Sequence, residues 1–201
     1  LKDLSVEYHK SIPWIRKQLL EATSPKKKVN PTELVMVGDA TFFGRGYGFL
    51  VFRSPLLKKN LYHKFIRYET INEYAQARYD LENKGFIISA IVLDGRPGVR
   101  KVFADKPVQM CHYHQKAIIR RYLTNKPKLE AGIKLKGIAT GLCINNKKDF
   151  TKKLTHWYQK WESFLKEKTT DLNTGKWHYT HRRIRSTYRS LKINLPYLFT
   201  Y

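Results

Sequence analysis

The chain has 201 residues, enough to bury a core and to form one or two domains. Hydrophobic residues at 42% and aromatics at 13% exclude a disordered chain. Lys plus Arg number 39 against 16 Asp plus Glu, a net charge of +23, which opposes compaction and calls for a polyanionic partner. Nucleic acid is the first candidate, because each neutralised phosphate releases condensed counterions. A membrane surface fits less well, since no long apolar or strongly amphipathic anchoring segment is visible. Two cysteines, Cys111 and Cys143, are too few for a disulfide scaffold and suit a reducing cytosol.

The first ten residues, LKDLSVEYHK, are polar and helical in character rather than a signal peptide. With no initiator Met, and with an apolar ending INLPYLFTY, the expectation is a piece of a longer protein. Residues 1–22 read as two short helices. Leu1, Leu4 and Tyr8 share a face of the first, His9 to Ser11 make a polar break, and Ser11 caps a second helix with Pro13 in its first turn. Trp14, Ile15, Gln18 and Leu19 form the packed side of that helix, and Arg16 and Lys17 point outward. Two helices with a basic second member fit a helix-turn-helix DNA-binding remnant or an ordinary helical hairpin. Residues 23–31 read as a basic linker containing Lys26, Lys27 and Lys28.

From Thr32 the pattern changes to strands. Leu34 to Val37 is nearly all apolar, as in a central strand covered on both faces, and it ends in Gly38 and Asp39. The glycine-rich TFFGRGYG run is followed by no helix, so it reads as a hairpin into Phe49–Arg53 rather than a phosphate cradle. Asn60 to Tyr68 alternates as a third strand. Thr70 caps a helix over residues 71–84, with Tyr74, Ala75, Arg78, Tyr79 and Leu81 packed and Gly85 as its stop. Phe86 to Leu93 is a buried-type strand delivering Asp94, followed by a Gly/Pro turn and a short basic segment. A further apolar step, Pro107 to Met110, ends in Cys111 and His114.

Three strands in a meander, a crossover helix and a fourth strand predict an α/β, ribonuclease H-like mixed sheet. The crossover makes strand four parallel to strand one and brings Asp39 and Asp94 to one edge. Further on, Phe150, Leu154, Trp157, Trp161, Phe164 and Leu165 mark a long amphipathic helix. Trp177, His181, Ile184, Tyr188 and Leu191 then predict a helix whose flanks carry Arg182, Arg183, Arg185 and Arg189, with no acid after Asp171. The chain thus divides into residues 1–22, the linker 23–31, a core at 32–125, a helical region at 126–175, and a basic helix at 176–201.

Paired aspartates at strand ends are hard oxygen donors suited to Mg²⁺ or Mn²⁺. Two such ions about 3.5–4 Å apart can activate a nucleophile and stabilise the leaving oxygen of a phosphodiester. Cys111, His112 and His114 could instead begin a zinc site, with Cys143, His178 and His181 as the distant donors. The alternative is a Cys-x-x-His motif that orders the edge beside the carboxylates.

Asp39 in VMVGDAT, Asp94 in IVLDGRPGV and Cys111-x-x-His114 in MCHYHQ together resemble the signature of Mutator-type bacterial insertion-sequence transposases. The resemblance covers about residues 32–201. It implies a DDE-class catalytic core with Asp39 and Asp94 as metal ligands, two Mg²⁺ (or Mn²⁺) ions, and an all-helical insertion before a final catalytic Glu. It further implies cleavage at element ends followed by attack of the freed 3′-hydroxyl on target DNA. The implied partners are terminal inverted repeats, target DNA and further copies of the chain in a homo-oligomer, in a cytoplasmic, nucleoid-associated setting. Glu162 and Glu167 fall inside the insertion helix and no Glu follows, so the expectation is that the last ligand lies beyond Tyr201 and that these residues alone are catalytically incomplete. Two other readings remain: a degenerate or domesticated DNA-binding protein without catalysis, and a nuclease or resolvase without strand transfer.

Overall fold

A computed structural model describes residues 1–22 and 30–200. Lys26, Lys27 and Lys28 lie outside the described residues. The chain is mixed α/β, with five strands in one mixed sheet ordered β3-β2-β1-β4-β5: β1 Glu33–Phe42, β2 Gly48–Ser54, β3 Lys59–Ile66, β4 Ile87–Leu93 and β5 Val108–Met110. It divides into two units, Leu1–Ile91 and a second beginning at Val92. Among the described residues, no helix is long and apolar enough to cross a membrane.

The first unit opens with α1 (Lys2–Glu7) and α2 (Ile12–Glu21). The break between them comes at His9, which takes φ 49°. The Ser11 hydroxyl accepts from the Trp14 N–H at 3.4 Å, so the expected cap forms with Pro13 behind it. Ile15 is the buried residue of α2. Arg16 departs from expectation. Its guanidinium lies 5.4 Å from the Tyr47 ring and its Nε is buried, so it packs on the turn between β1 and β2 rather than pointing outward. Lys17 is exposed beside Glu21 at 3.9 Å.

β1 runs on past Asp39 for three residues, because Asp39 to Phe42 continue to pair with Val51 to Gly48. Asp39 is therefore inside the strand, not at its end. One face of β1, with Leu34, Met36 and Gly38, is buried, while Val35 stays exposed. The expected burial of both faces does not occur along this strand. The β1–β2 turn closes through the Phe43 N–H on the Tyr47 carbonyl at 2.9 Å. Gly48 is dictated by space, since a Cβ there would lie 2.7 Å from the Phe42 ring.

Leu50, Phe52, Tyr62 and Ile66 continue the buried face. Against it stands α3 (Ile71–Asn83), capped by Thr70, whose hydroxyl accepts from the Glu73 N–H at 3.3 Å. Its packed residues are Tyr74, Ala77 and Leu81. Tyr79, expected there, is exposed, because it lies off the i, i+3, i+7 stripe. Phe52 sits edge-on to both Tyr62 and Tyr74 at 6.0 and 5.9 Å. After the αL stop at Gly85 (φ 83°), the Ile87 N–H donates to the Thr32 carbonyl at 3.2 Å. The starts of β1 and β4 are thereby tied together.

The second unit contains α4 (Pro97–Val102), α5 (His112–Leu123), α6 (Glu130–Thr140), α7 (Lys147–Lys166) and α8 (Arg182–Asn194), with 3₁₀ turns at Gly141–Cys143 and Leu195–Tyr197. The basic segment after Asp94 is thus a helix, started by Pro97 at its first position. In α7, Phe150, Leu154, Trp157 and Leu165 are buried as expected, and the Trp157 indole N–H donates to the Ala131 carbonyl at 3.0 Å.

The region after α7, expected to be all-helical, is not. Lys168–Thr170 (β6) and Trp177–Tyr179 (β7) form an antiparallel hairpin. Trp177 therefore belongs to a strand and is exposed rather than part of the helix stripe. The buried stripe of α8 is Ile184, Thr187, Leu191 and Asn194.

Candidate functional site

Asp39 is half-buried at the seventh position of β1, opposite Val51 of β2. It lies on the same side of the strand as Val35 and Val37, away from the core face of Leu34 and Met36. Asp94 follows directly after β4. One of its carboxylate oxygens accepts from the Arg96 N–H at 3.0 Å, the short turn an aspartate favours before a helix. Gly95 takes φ 97°, and a Cβ there would overlap the Met110 sulfur, so only glycine lets the chain pass.

Behind this turn is a buried cation that sequence reading passed over. Arg100 of α4 is 8% exposed. Its guanidinium donates to Asn194 Oδ1 at 2.7 Å and lies 4.2 Å from the Tyr197 ring. Burial pushes its pKa down from the ordinary value, while Tyr197 and the Asp94 carboxylate push it back up. Arg100 thus places positive charge in the field of Asp94. Asn194 passes the contact on, its amide donating to Gln115 Oε1 at 2.7 Å, and Gln115 donates to Ser190 at 3.2 Å. A strand-end turn, α5 and α8 are in this way joined by one buried polar seam.

Cys111 and His114 sit where β5 becomes α5. Cys111 is the residue before the helix, and its N–H donates to the Leu93 carbonyl at 2.8 Å. That contact holds the start of α5 beside the last residue of β4. His112, between them, has its own anchor. A carbonyl can only accept, so His112 Nε2 donates to the Leu198 carbonyl at 2.7 Å. Gln109 donates to the same carbonyl at 2.9 Å and accepts from the Thr200 N–H at 2.8 Å.

Of the zinc donors weighed from sequence, His112 and Cys143 come together, and His178 and His181 lie elsewhere. Cys143 Sγ lies 3.5 Å from His112 Nδ1 and accepts from the Lys116 ammonium at 3.1 Å. His178 is on β7, and His181 contacts Glu167 at 2.8 Å. Among the described residues, no three His, Cys, Asp or Glu side chains cluster in a way that could hold a metal ion.

Of the basic residues expected at DNA, Arg182, Arg183 and Arg189 are exposed on α8. Arg185 is committed inward: it donates to the Leu165 carbonyl at 3.3 Å and lies 3.8 Å from the Tyr179 ring. The β6–β7 hairpin had a readable signal in DLNTG, a turn sequence between two short β-prone runs. The polar seam had none, since single Arg, Gln and Asn residues inside helices do not disturb an apolar period.

No protein-family model matches the chain, and no curated protein matches it. Among solved structures it is similar to a chain of the simian T-cell lymphotropic virus intasome, determined by cryo-EM in complex with PP2A regulatory subunit B56 gamma. That likeness has a TM-score of 0.33 and 11% sequence identity, and it covers 71% of this chain and 65% of that chain, under two thirds of its length.

Proposed function

We propose that the chain is the ribonuclease H-like part of a DDE-class DNA transposase, which binds DNA through a basic surface and cleaves phosphodiesters with Asp39 and Asp94 as metal ligands. The observation that carries this reading is the strand order. β1 and β4 are neighbours in the sheet, Asp39 lies in β1, and Asp94 directly follows β4.

The donor chemistry fits a hard divalent cation. Both residues are carboxylates, and the oxygen of Asp94 that does not accept from Arg96 offers a lone pair to an ion. Mg²⁺ or Mn²⁺ bound there would supply charge to activate a nucleophile and to stabilise a leaving oxygen. The protein's own part is to hold and bind. The Arg96 N–H and the Gly95 turn fix Asp94, Cys111 holds α5 to the end of β4, and Arg182, Arg183 and Arg189 supply cations for phosphates. α8 itself carries no carboxylate to add to the pair.

The test is Asp39→Asn and Asp94→Asn in the full-length protein, with Mg²⁺ and DNA carrying the element ends. Each should lower cleavage by at least ~100-fold, the upper end of losses seen on disturbing residues that merely support a metal ligand. DNA affinity should hold. Cleavage at the wild-type rate in either variant sinks the proposal.

A second reading, DNA binding without catalysis, is favoured by one observation, the missing third donor near the pair among the described residues. It predicts no cleavage by the wild-type protein and an unchanged affinity in both variants.

A further inference from the structure

The β6–β7 hairpin is the part of the second unit least explained by packing. From Lys166 to His178 every residue is exposed. Trp177 is 56% exposed and Leu172 at the turn 97%. A lone two-stranded hairpin is marginal in water, so its conformation has to be held from its root. There, the Thr180 N–H donates to the Glu167 carbonyl at 3.0 Å, and the Thr169 and Thr180 hydroxyls meet at 2.7 Å. His181 stacks on Phe164 with ring centroids 3.5 Å apart, and Arg185 lies against Tyr179. The root is firm, and an indole is carried outward on it.

The charges around that indole are sorted. Both acids of the segment are occupied within it: Glu167 meets His181 at 2.8 Å, and Asp171 accepts from the Asn173 and Thr174 N–H groups at 2.8 and 3.2 Å. The cations are solvent-exposed. Lys168 Nζ rests over the Trp177 ring, 3.9 Å from its centroid, a place a stacking base would take by displacing it, and Lys176, Arg182 and Arg183 are exposed. A flat, half-open aromatic surface ringed by cations matches a nucleotide, with a base to stack and a phosphate on either side. A protein partner would have to present an acidic surface around an apolar pocket.

We propose that Trp177 is a stacking platform for an unpaired DNA base, with Lys168, Lys176, Arg182 and Arg183 taking the neighbouring phosphates. Duplex DNA keeps its bases stacked on each other, so the platform selects a single-stranded end or overhang over a blunt one. This rests on the DNA partner of the proposed function and is independent of Asp39 and Asp94.

Fluorescence anisotropy tests it with the full chain and three labelled DNAs of one sequence: blunt duplex, duplex with a short unpaired 3′ overhang, and single strand. The wild type should prefer the two DNAs with unpaired bases. Trp177→Ala should lose about 5- to 150-fold on those two, the affinity range of one base–aromatic stack, with blunt-duplex binding within about twofold. Trp177→Phe should recover most of the loss. Lys168→Ala should weaken all three and lower the salt slope by about one. Trp177 is exposed, so thermal melting of the variants should match the wild type, separating a lost contact from a lost fold. Equal wild-type binding to all three DNAs overturns the inference, as does wild-type affinity in Trp177→Ala. In both outcomes DNA binding itself survives. A wild-type chain that binds none of the DNAs overturns the DNA partner as well, and with it the proposed function.

Discussion

The interiors of the two units differ in chemistry. In the unit up to Ile91, the buried side chains among the described residues are apolar or aromatic apart from Ser54. In the unit from Val92, Arg100, Gln109, Gln115, Thr187 and Asn194 are buried as well. An apolar face is non-directional, so it tolerates small shifts and stabilises in rough proportion to area. A buried polar seam is directional, and each member is costly once its partner is gone. The difference teaches where geometric precision is kept: in the unit that fixes Asp94, and not in the unit up to Ile91.

The comparison can be broken first at Phe52. It is fully buried between Tyr62 and Tyr74, and Phe52→Ala should cost about 3–5 kcal/mol in urea denaturation. A loss below about 1 kcal/mol would mean that the apolar face is not what holds the first unit.

Asn194→Leu acts on the seam. It leaves the Arg100 guanidinium without its 2.7 Å acceptor and Gln115 without its donor. The expected cost is about 2–3 kcal/mol. A neutral outcome would show that apolar packing replaces the seam, as it does for some buried ion pairs.

The smallest effect sharpens the contrast between buried and exposed polar groups. On the solvent side of α7, Glu162 is held below its ordinary value of 4.5 by hydrogen bonds from Lys166 and Tyr158. A carboxyl with a lowered folded-state pKa contributes stability above its unfolded value and loses it as pH falls through the folded one. Glu162→Gln should therefore slightly flatten the acid side of a Tm-against-pH curve and leave the neutral region nearly unchanged. A large drop at neutral pH would contradict the view that the buried seam outweighs exposed pairs.

The legibility of the two units follows the same division. The Ser11 and Thr70 caps, the meander, α3, β4 and the buried side of α7 were all readable, because caps and apolar periods are local signals. The sequence pattern puts Asp39 at a strand end, three residues short of where β1 stops. The length of β1 is set by pairing with β2, and Phe42↔Gly48 is a partnership that no run of residues announces. Arg16 was read as outward because its spacing says so, yet Tyr47, 31 residues on, captures it. The Arg100–Asn194 contact spans 94 residues and joins two polar side chains, so neither propensity nor periodicity points to it. Within the site, the residue types of Asp39, Asp94, Cys111 and His114 were visible. The side chains that steady them were not.

Gln109 and His112 near the start of the second unit are bound by Leu198 and Thr200, 86 to 91 positions later. During synthesis the sheet of the first unit has its own partners as soon as β4 has emerged. The second unit has to wait for Thr200. At about 5–20 residues per second, that delay is on the order of 5 to 20 s. Throughout it, Gln109 and His112 lack the carbonyl they share, and the unfinished second half of a strongly cationic chain is open to any polyanion nearby. Nascent chains of this protein should thus pass through a window in which the sheet is formed, the polar seam is open, and non-specific capture by nucleic acid competes with closure.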